Sequence, residues 1–263
     1  MKEIFGRTGK FLLFLFLLLF LLYAMRETEV SVWRLISGSP WLFRLLISFL
    51  TPNISGEWVM QTLNGVWETL MIAYTGTLIS GLISVPLSFL GARNIMTGSW
   101  LRLGVYTLMR LFFTFFRSLD ALILGILFVV AVGIGPFAGV LALIVHTCGV
   151  LGKMFSEAIE ESDPKIIEAI RSTGATDIQV VSFAILPRVF PYFLSFFFLR
   201  LDTNVRMSTA LGLLGAGGIG YLLKQSADLL DYHKTATIVW EIILLISFFD
   251  FLSGYVRRRI RSE

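Results

Sequence analysis

Cysteine, histidine and charge are all scarce in this chain, and each scarcity excludes a kind of chemistry. The single cysteine, Cys148, sits inside an apolar run, so no disulfide framework and no Cys/His zinc spacing can be built from it. The two histidines, His146 and His233, lie far apart with no second nitrogen or thiolate at ligand spacing, and each reads as a hydrogen-bonded packing residue. No catalytic triad or carboxylate pair is present. Gly152-Lys153 is not a phosphate-cradling P-loop, because Thr147 holds the first glycine position and Met154 the hydroxyl position. Gly215, Gly217 and Gly220 satisfy a dinucleotide-binding spacing, but an apolar span precedes them rather than a strand, which favours a close-packed outer loop.

Apolar sequence is plentiful. Of 263 residues, 56% are hydrophobic and 15% charged, too apolar a balance for a soluble domain and one that leaves little room for an extramembrane enzyme. Six spans are predicted, covering residues 11–25, 69–90, 105–132, 137–155, 189–214 and 237–255. The first is short and follows Lys2, Arg7 and Lys10; with no small-x-small cleavage site after it, a retained helix is expected rather than a cleaved leader. Residues 30–65, with Trp33, Trp41 and Trp58, suit an outer segment lying partly in the interface. This divides the chain into an N-terminal helix and interfacial segment (1–65) and a main membrane domain (66–263). The third span is longer than a bilayer needs, so its first third is expected along the inner interface. Gly133-Ile134-Gly135-Pro136 then turns the chain into the fourth span.

Orientation follows from lysine and arginine alone. With both termini inside, the inner segments hold Lys2, Arg7, Lys10, Arg93, Arg102, Arg110, Arg117, Lys153, Lys165, Arg171, Arg188 and the terminal run Arg257, Arg258, Arg259 and Arg261. The net charge of +4 is therefore topological and implies no nucleic-acid partner.

The polar insert between the fourth and fifth spans carries the most information. Asp163 can cap a helix starting at Pro164, and Gly174 can take the left-handed conformation that closes it. Thr176 with Gln179 forms a capping-box start for a second helix, which Pro187 is expected to end. Ile166, Ile167 and Ile170 share one face of the first helix, while Lys165, Glu168 and Arg171 share the other. Such an elbow lies along a membrane surface with a charged side available to a soluble partner.

Glu168, Ala169, Gly174, Leu186 and Pro187 resemble the cytoplasmic "EAA" loop of binding-protein-dependent ABC importer permeases, with Ile170 in place of the second alanine and Ala184 in the Ile slot. Flanking stretches, together covering roughly Phe116 to Leu223, are similar to the phosphonate-type permeases. The resemblance implies an all-α fold with a type I, methionine/maltose-permease-like core, a coupling loop at 157–187, and a bacterial inner-membrane location. It implies a homodimer working with a cytoplasmic ATPase pair, which alone holds ATP and Mg, and with an external phosphonate-binding protein. Phosphonate, phosphite and phosphate remain open as cargo, as do import of another solute, a channel and a membrane-embedded enzyme.

One further cluster lies inside the fifth span. Arg200, Asp202, Asn204 and Arg206 fall near mid-bilayer or in its outer third, where charges cost several kcal/mol unless paired or wet. Asp202 with Arg206 at i, i+4 fits a structural ion pair. The cluster still carries one more cation than anions, and the surplus has to face water or an anion, which makes these residues pathway candidates; Asn204 and Arg206 also resemble the family's Asn-x-Arg step. Arg117 and Asp120 are further pathway candidates at the inner interface.

Overall fold

The computed structural model describes residues 7–96 and 98–262; Lys2 of the orientation count, and the side chains of Arg7, Trp41 and Arg261, lie outside what it describes. The chain forms two compact units, Met1–Leu50 and Thr51–Glu263.

In the first unit, α1 (Arg7–Glu27) and α2 (Val32–Leu50) are joined through Glu29 at φ 50°. The Leu/Phe run of α1 favours helix and offers no polar side chain to compete with its backbone. Its stretch Gly9–Glu27 is long and apolar enough to cross a membrane, and none of it is buried within the chain.

The second unit is built on α3 (Gly56–Leu90) and α6 (Pro136–Glu160). At 35 residues α3 is about 52 Å long, more than a bilayer core requires. Its buried stripe is almost all small: Gly65, Thr69, Ala73, Gly76, Thr77, Ser80, Gly81, Ser84 and Ser88. Small residues let two backbones approach in lipid, where polar groups must also find partners. Ser80 donates to Ile144 O (3.1 Å), Ser84 to Cys148 O (3.3 Å) and Ser156 to Ser88 O (3.1 Å), a ladder of hydroxyls between α3 and α6.

Residues 51–65 belong to this unit, and α3 passes position 65 without a break. The interfacial expectation for residues 30–65 rested on their tryptophans, of which Trp58 lies in the first turn of α3. The expected long third passage is two helices, α4 (Trp100–Ser118) and α5 (Ala121–Val132), bent by 86° at Leu119-Asp120. Asp120 enforces the bend, because its side chain caps α5 by accepting from Leu122 N at 2.8 Å. Gly133 and Gly135 turn the chain into α6 at φ 93° and 147°, conformations that L side chains resist.

After α6 come α7 (Pro164–Arg171), α8 (Asp177–Val180), α9 (Leu186–Leu213), α10 (Gly218–Asp228) and α11 (Tyr232–Ser262). The expected glycine-rich outer loop is instead a tight turn into α10. Gly220 lies in that helix, so close to the Thr209 carbonyl and Gly212 that a side chain would collide with both. Among the described residues five helices can span a membrane, or six if the bent α4–α5 pair is one span.

Candidate functional site

The elbow forms as its caps dictate. Asp163 accepts from Lys165 N at 2.9 Å above Pro164, Gly174 stands at φ 81°, and Thr176 N donates to Gln179 Oε1 at 2.8 Å in a capping box. Nothing lies within 4 Å of a Cβ at Gly174, so the constraint there is the backbone angle rather than space. Ile167 is buried and Ile166 and Ile170 half-buried against Leu151, Phe155, Val180, Ile185 and Val189, while Glu168, Ala169 and Arg171 are exposed. The division of faces read from the sequence therefore holds.

Pro187 does not end the second helix. The helix widens into a five-residue π turn, Val181–Ile185, and α9 starts at Leu186 without an intervening loop. Proline removes one N–H and would strike the carbonyl four residues earlier; the wider turn absorbs both and lets the helix run on. Leu186 is partly buried and Pro187 exposed.

Ion pairs brace the elbow to the bundle. Asp177 meets Arg171 at 3.2 Å and Arg102 of α4 at 3.1 Å. Arg110 contacts Glu157 at 3.7 Å, forms a second ion pair with Glu160, and donates Nε to Gly91 O at 2.9 Å. Glu160 also accepts from Arg93 N at 2.7 Å. Asp177, Glu157 and Glu160 went unnoticed in the sequence, and Arg110 counted there for orientation alone, because isolated charges flanking a span carry no pairing signal.

The charged group of α9 splits into two. At about 100° per residue, Arg200 and Asn204 share one face and Asp202 and Arg206 share a nearly opposite one. Asn204 has no exposed surface. Its Nδ2 donates to Thr77 Oγ1 (2.8 Å) and Thr147 Oγ1 (3.0 Å), and its Oδ1 accepts from Thr147 (3.2 Å) and weakly from Arg200 (3.5 Å). Asn204 thereby knots α3, α6 and α9. Arg200 Nε is buried with no partner among the described residues. His146 holds Leu119 O at 2.8 Å, tying α6 to the α4–α5 bend. Arg117 is exposed at the end of α4, where Gly149 approaches so closely that a Cβ would stand 2.7 Å from the Arg117 nitrogen.

On the other face Asp202 pairs with Arg206 at 3.0 Å as expected, and Arg206 also pairs with Asp250 of α11. The count of one surplus cation omitted Asp250. With it the group holds two arginines and two aspartates, and Arg206 is matched by two carboxylates. At the opposite end of the bundle from the elbow, a cavity of about 410 Å³ is lined by Gln61, Asn64, Glu68, Gly217 and Tyr221, of which the sequence reading singled out Gly217 alone, as part of the glycine turn. His233 at that end donates from Nδ1 to Thr51 O (2.7 Å), tying the start of α11 to the segment before α3.

Residues 84–262 match the family model described as "Binding-protein-dependent transport system inner membrane component". The phosphite transport system permease protein PtxC of Stutzerimonas stutzeri is 36% identical over 229 residues, covering 86% of this chain and 80% of that protein. The phosphate-import permease protein PhnE of Mycolicibacterium smegmatis is 38% identical over 238 residues, covering 88% of this chain and 44% of that protein. Among solved structures, an inward-facing form of the MetNI methionine ABC transporter superposes with a TM-score of 0.69 at 24% identity, covering 79% of this chain and 99% of that one. An all-helical bundle with a capped elbow between its spans, matched over most of its length by such permeases, belongs to the family of inner-membrane permease subunits of binding-protein-dependent ABC importers.

Proposed function

We propose that this permease carries phosphonate, phosphite or phosphate, works as a homodimer with both termini in the cytoplasm, and couples to its ATPase pair through the elbow. The observation that carries the cargo reading is the near-full-length similarity to permeases named for phosphite and phosphate, at higher identity than the methionine transporter whose fold the chain shares. ATP and Mg belong to the ATPase subunits. Closure of those subunits pushes the two elbows together, and the spans rock so that the cavity opens outward to receive the ligand. In the elbow, Glu168 and Ala169 face the ATPase, Gly174 sets the angle between the two short helices, and Leu186 with Pro187 joins them to α9.

Within the span, Arg200 is the favoured contact for a passing oxyanion. It has no carboxylate partner among the described residues, whereas Arg206 is held by Asp202 and Asp250. Asn204 positions Arg200, and Arg117 and Asp120 border the same region at the α4–α5 bend.

Reconstitution of the permease with its ATPase and binding protein in vesicles tests this reading. ATP-dependent uptake of at least one of methylphosphonate, phosphite and phosphate is expected, and it should fall at least tenfold in Arg200→Gln at unchanged complex assembly. Uptake of a neutral amino acid, with none of the three anions carried, would overturn the cargo assignment.

A further inference from the structure

Near the elbow end of the bundle, α9 and α11 part to leave a cavity of about 390 Å³ lined by Ser195, Phe196, Leu199, Gly254, Arg257 and Arg258. Its upper wall is apolar and its mouth cationic. Arg257 Nε donates to Ser253 O and Arg258 Nε to Gly254 O, each at 3.2 Å, which pins both side chains along the helix and leaves their outer guanidinium nitrogens for another acceptor. Neither arginine makes an ion pair among the described residues, unlike Arg102, Arg110, Arg171 and Arg206. Ser195 lies about 14 Å along the axis from the start of α9, so the groove reaches from the helix ends to the depth where headgroup gives way to acyl chain.

A run of arginines after a span has an ordinary role in fixing orientation, which needs no cavity. Here a gap in the packing stands beside the run. At Gly254 a Cβ would meet nothing within 4 Å, so the glycine leaves open space that almost any other residue would fill. Two unpaired guanidinium groups over a hydroxyl and an apolar slot fit one ligand chemistry: a phosphodiester attached to a chain.

We propose that the α9–α11 groove is a binding site for the headgroup of an anionic phospholipid, its phosphate held by Arg257 and Arg258 and its glycerol and first methylenes lying against Phe196 and Leu199. The site is independent of what the permease carries. A lipid seated there staples the elbow end of α9 to the end of α11.

The test is thermal unfolding of the full-length chain in detergent, with added dioleoylphosphatidylglycerol, dioleoylphosphatidylcholine or inorganic phosphate as probes. Phosphatidylglycerol is expected to raise the melting temperature by several degrees, phosphatidylcholine by less than half of that, and inorganic phosphate not at all. The phosphatidylglycerol shift should be at least halved in Arg257→Gln/Arg258→Gln and in Gly254→Leu. The glycine variant fills the slot without touching charge, and its melting temperature without lipid should be no lower than that of the wild type. It decides the matter if the double variant fails to fold. A shift undiminished in Gly254→Leu, an equal shift with phosphatidylcholine, or a shift reproduced by inorganic phosphate would each overturn the site.

Discussion

Replacing Asn204 by leucine should destabilise the bundle chiefly through what it does to Arg200. The side chains are of similar size, so the cost is polar. Thr77 still donates to Ala73 O at 2.6 Å, and Thr147 can turn its hydroxyl to the carbonyl one turn earlier, so neither threonine is stranded. Among the described residues Arg200 then loses its one side-chain acceptor, while its Nε is already buried without a partner. An orphaned buried group costs about 1–3 kcal/mol, more when charged, whereas side-chain hydrogen bonds inside membranes average about 0.6 kcal/mol because the reference state also finds partners. Together these give a loss of about 2–4 kcal/mol, most of it from the arginine. Reversible unfolding in mixed micelles by increasing dodecyl sulfate measures it. The same accounting sets the sign of the double variant: Arg200→Leu/Asn204→Leu removes both partners and should recover at least half of the loss. A change below about 0.5 kcal/mol in the single variant, or a double variant less stable than it, would refute the view that Asn204 is the anchor of a buried cation.

Gly174→Val should insert normally but lose retention of the ATPase, since its φ of 81° disfavours a β-branched residue by about 1 kcal/mol or more; Glu168→Lys should do the same by reversing charge on the exposed face, with co-purification and ligand-stimulated ATP hydrolysis as readouts and wild-type values as the disproof. In a Cys148→Ala background, a cysteine at exposed Gln225 should react with an impermeant reagent on intact cells and one at exposed Thr176 should not; the reverse pattern would invert the orientation. Asp250→Asn should leave Asp202 as the sole full charge on Arg206 and destabilise the α9–α11 pair by about 1–2 kcal/mol, measured by the same unfolding titration, whereas an unchanged midpoint would mean that water already screens the pair.

The elbow was legible because its signals are local. A cap, a left-handed glycine and a capping box each act within one helical turn, and Asp163, Gly174 and Thr176 behave as their spacing dictates. The amphipathic face of Ile166, Ile167 and Ile170 needed only helical period to be found. Pro187 was misread because proline's local rule, that a helix stops, competes with a costlier but available alternative, a wider turn. Helix α10 was hidden by the glycines that introduce it. Asp250 could not be linked to Arg206, since it lies among phenylalanines in another span and nothing local to either residue marks the pairing. The Asn204 knot has the same origin: Thr77 and Thr147 look like ordinary small residues until three helices bring them to one point.

The π turn changes what the elbow is mechanically. From Asp177 to Leu213 the backbone is helical throughout, so the segment is a stiff rod with no slack joint between its handle at the elbow and its buried middle. Asn204, bonded to two other helices about 36 Å from Val180, is the natural fulcrum of that rod. A lateral push of one helical pitch, about 5.4 Å, at the handle would tilt the rod by about 9° around the knot. The leverage runs the other way above it. The short arm beyond Asn204 ends in the glycine turn at Gly215, so a broad stroke at the elbow becomes a small, forceful displacement beside Glu68 and Gly217, at the cavity on the far end of the bundle.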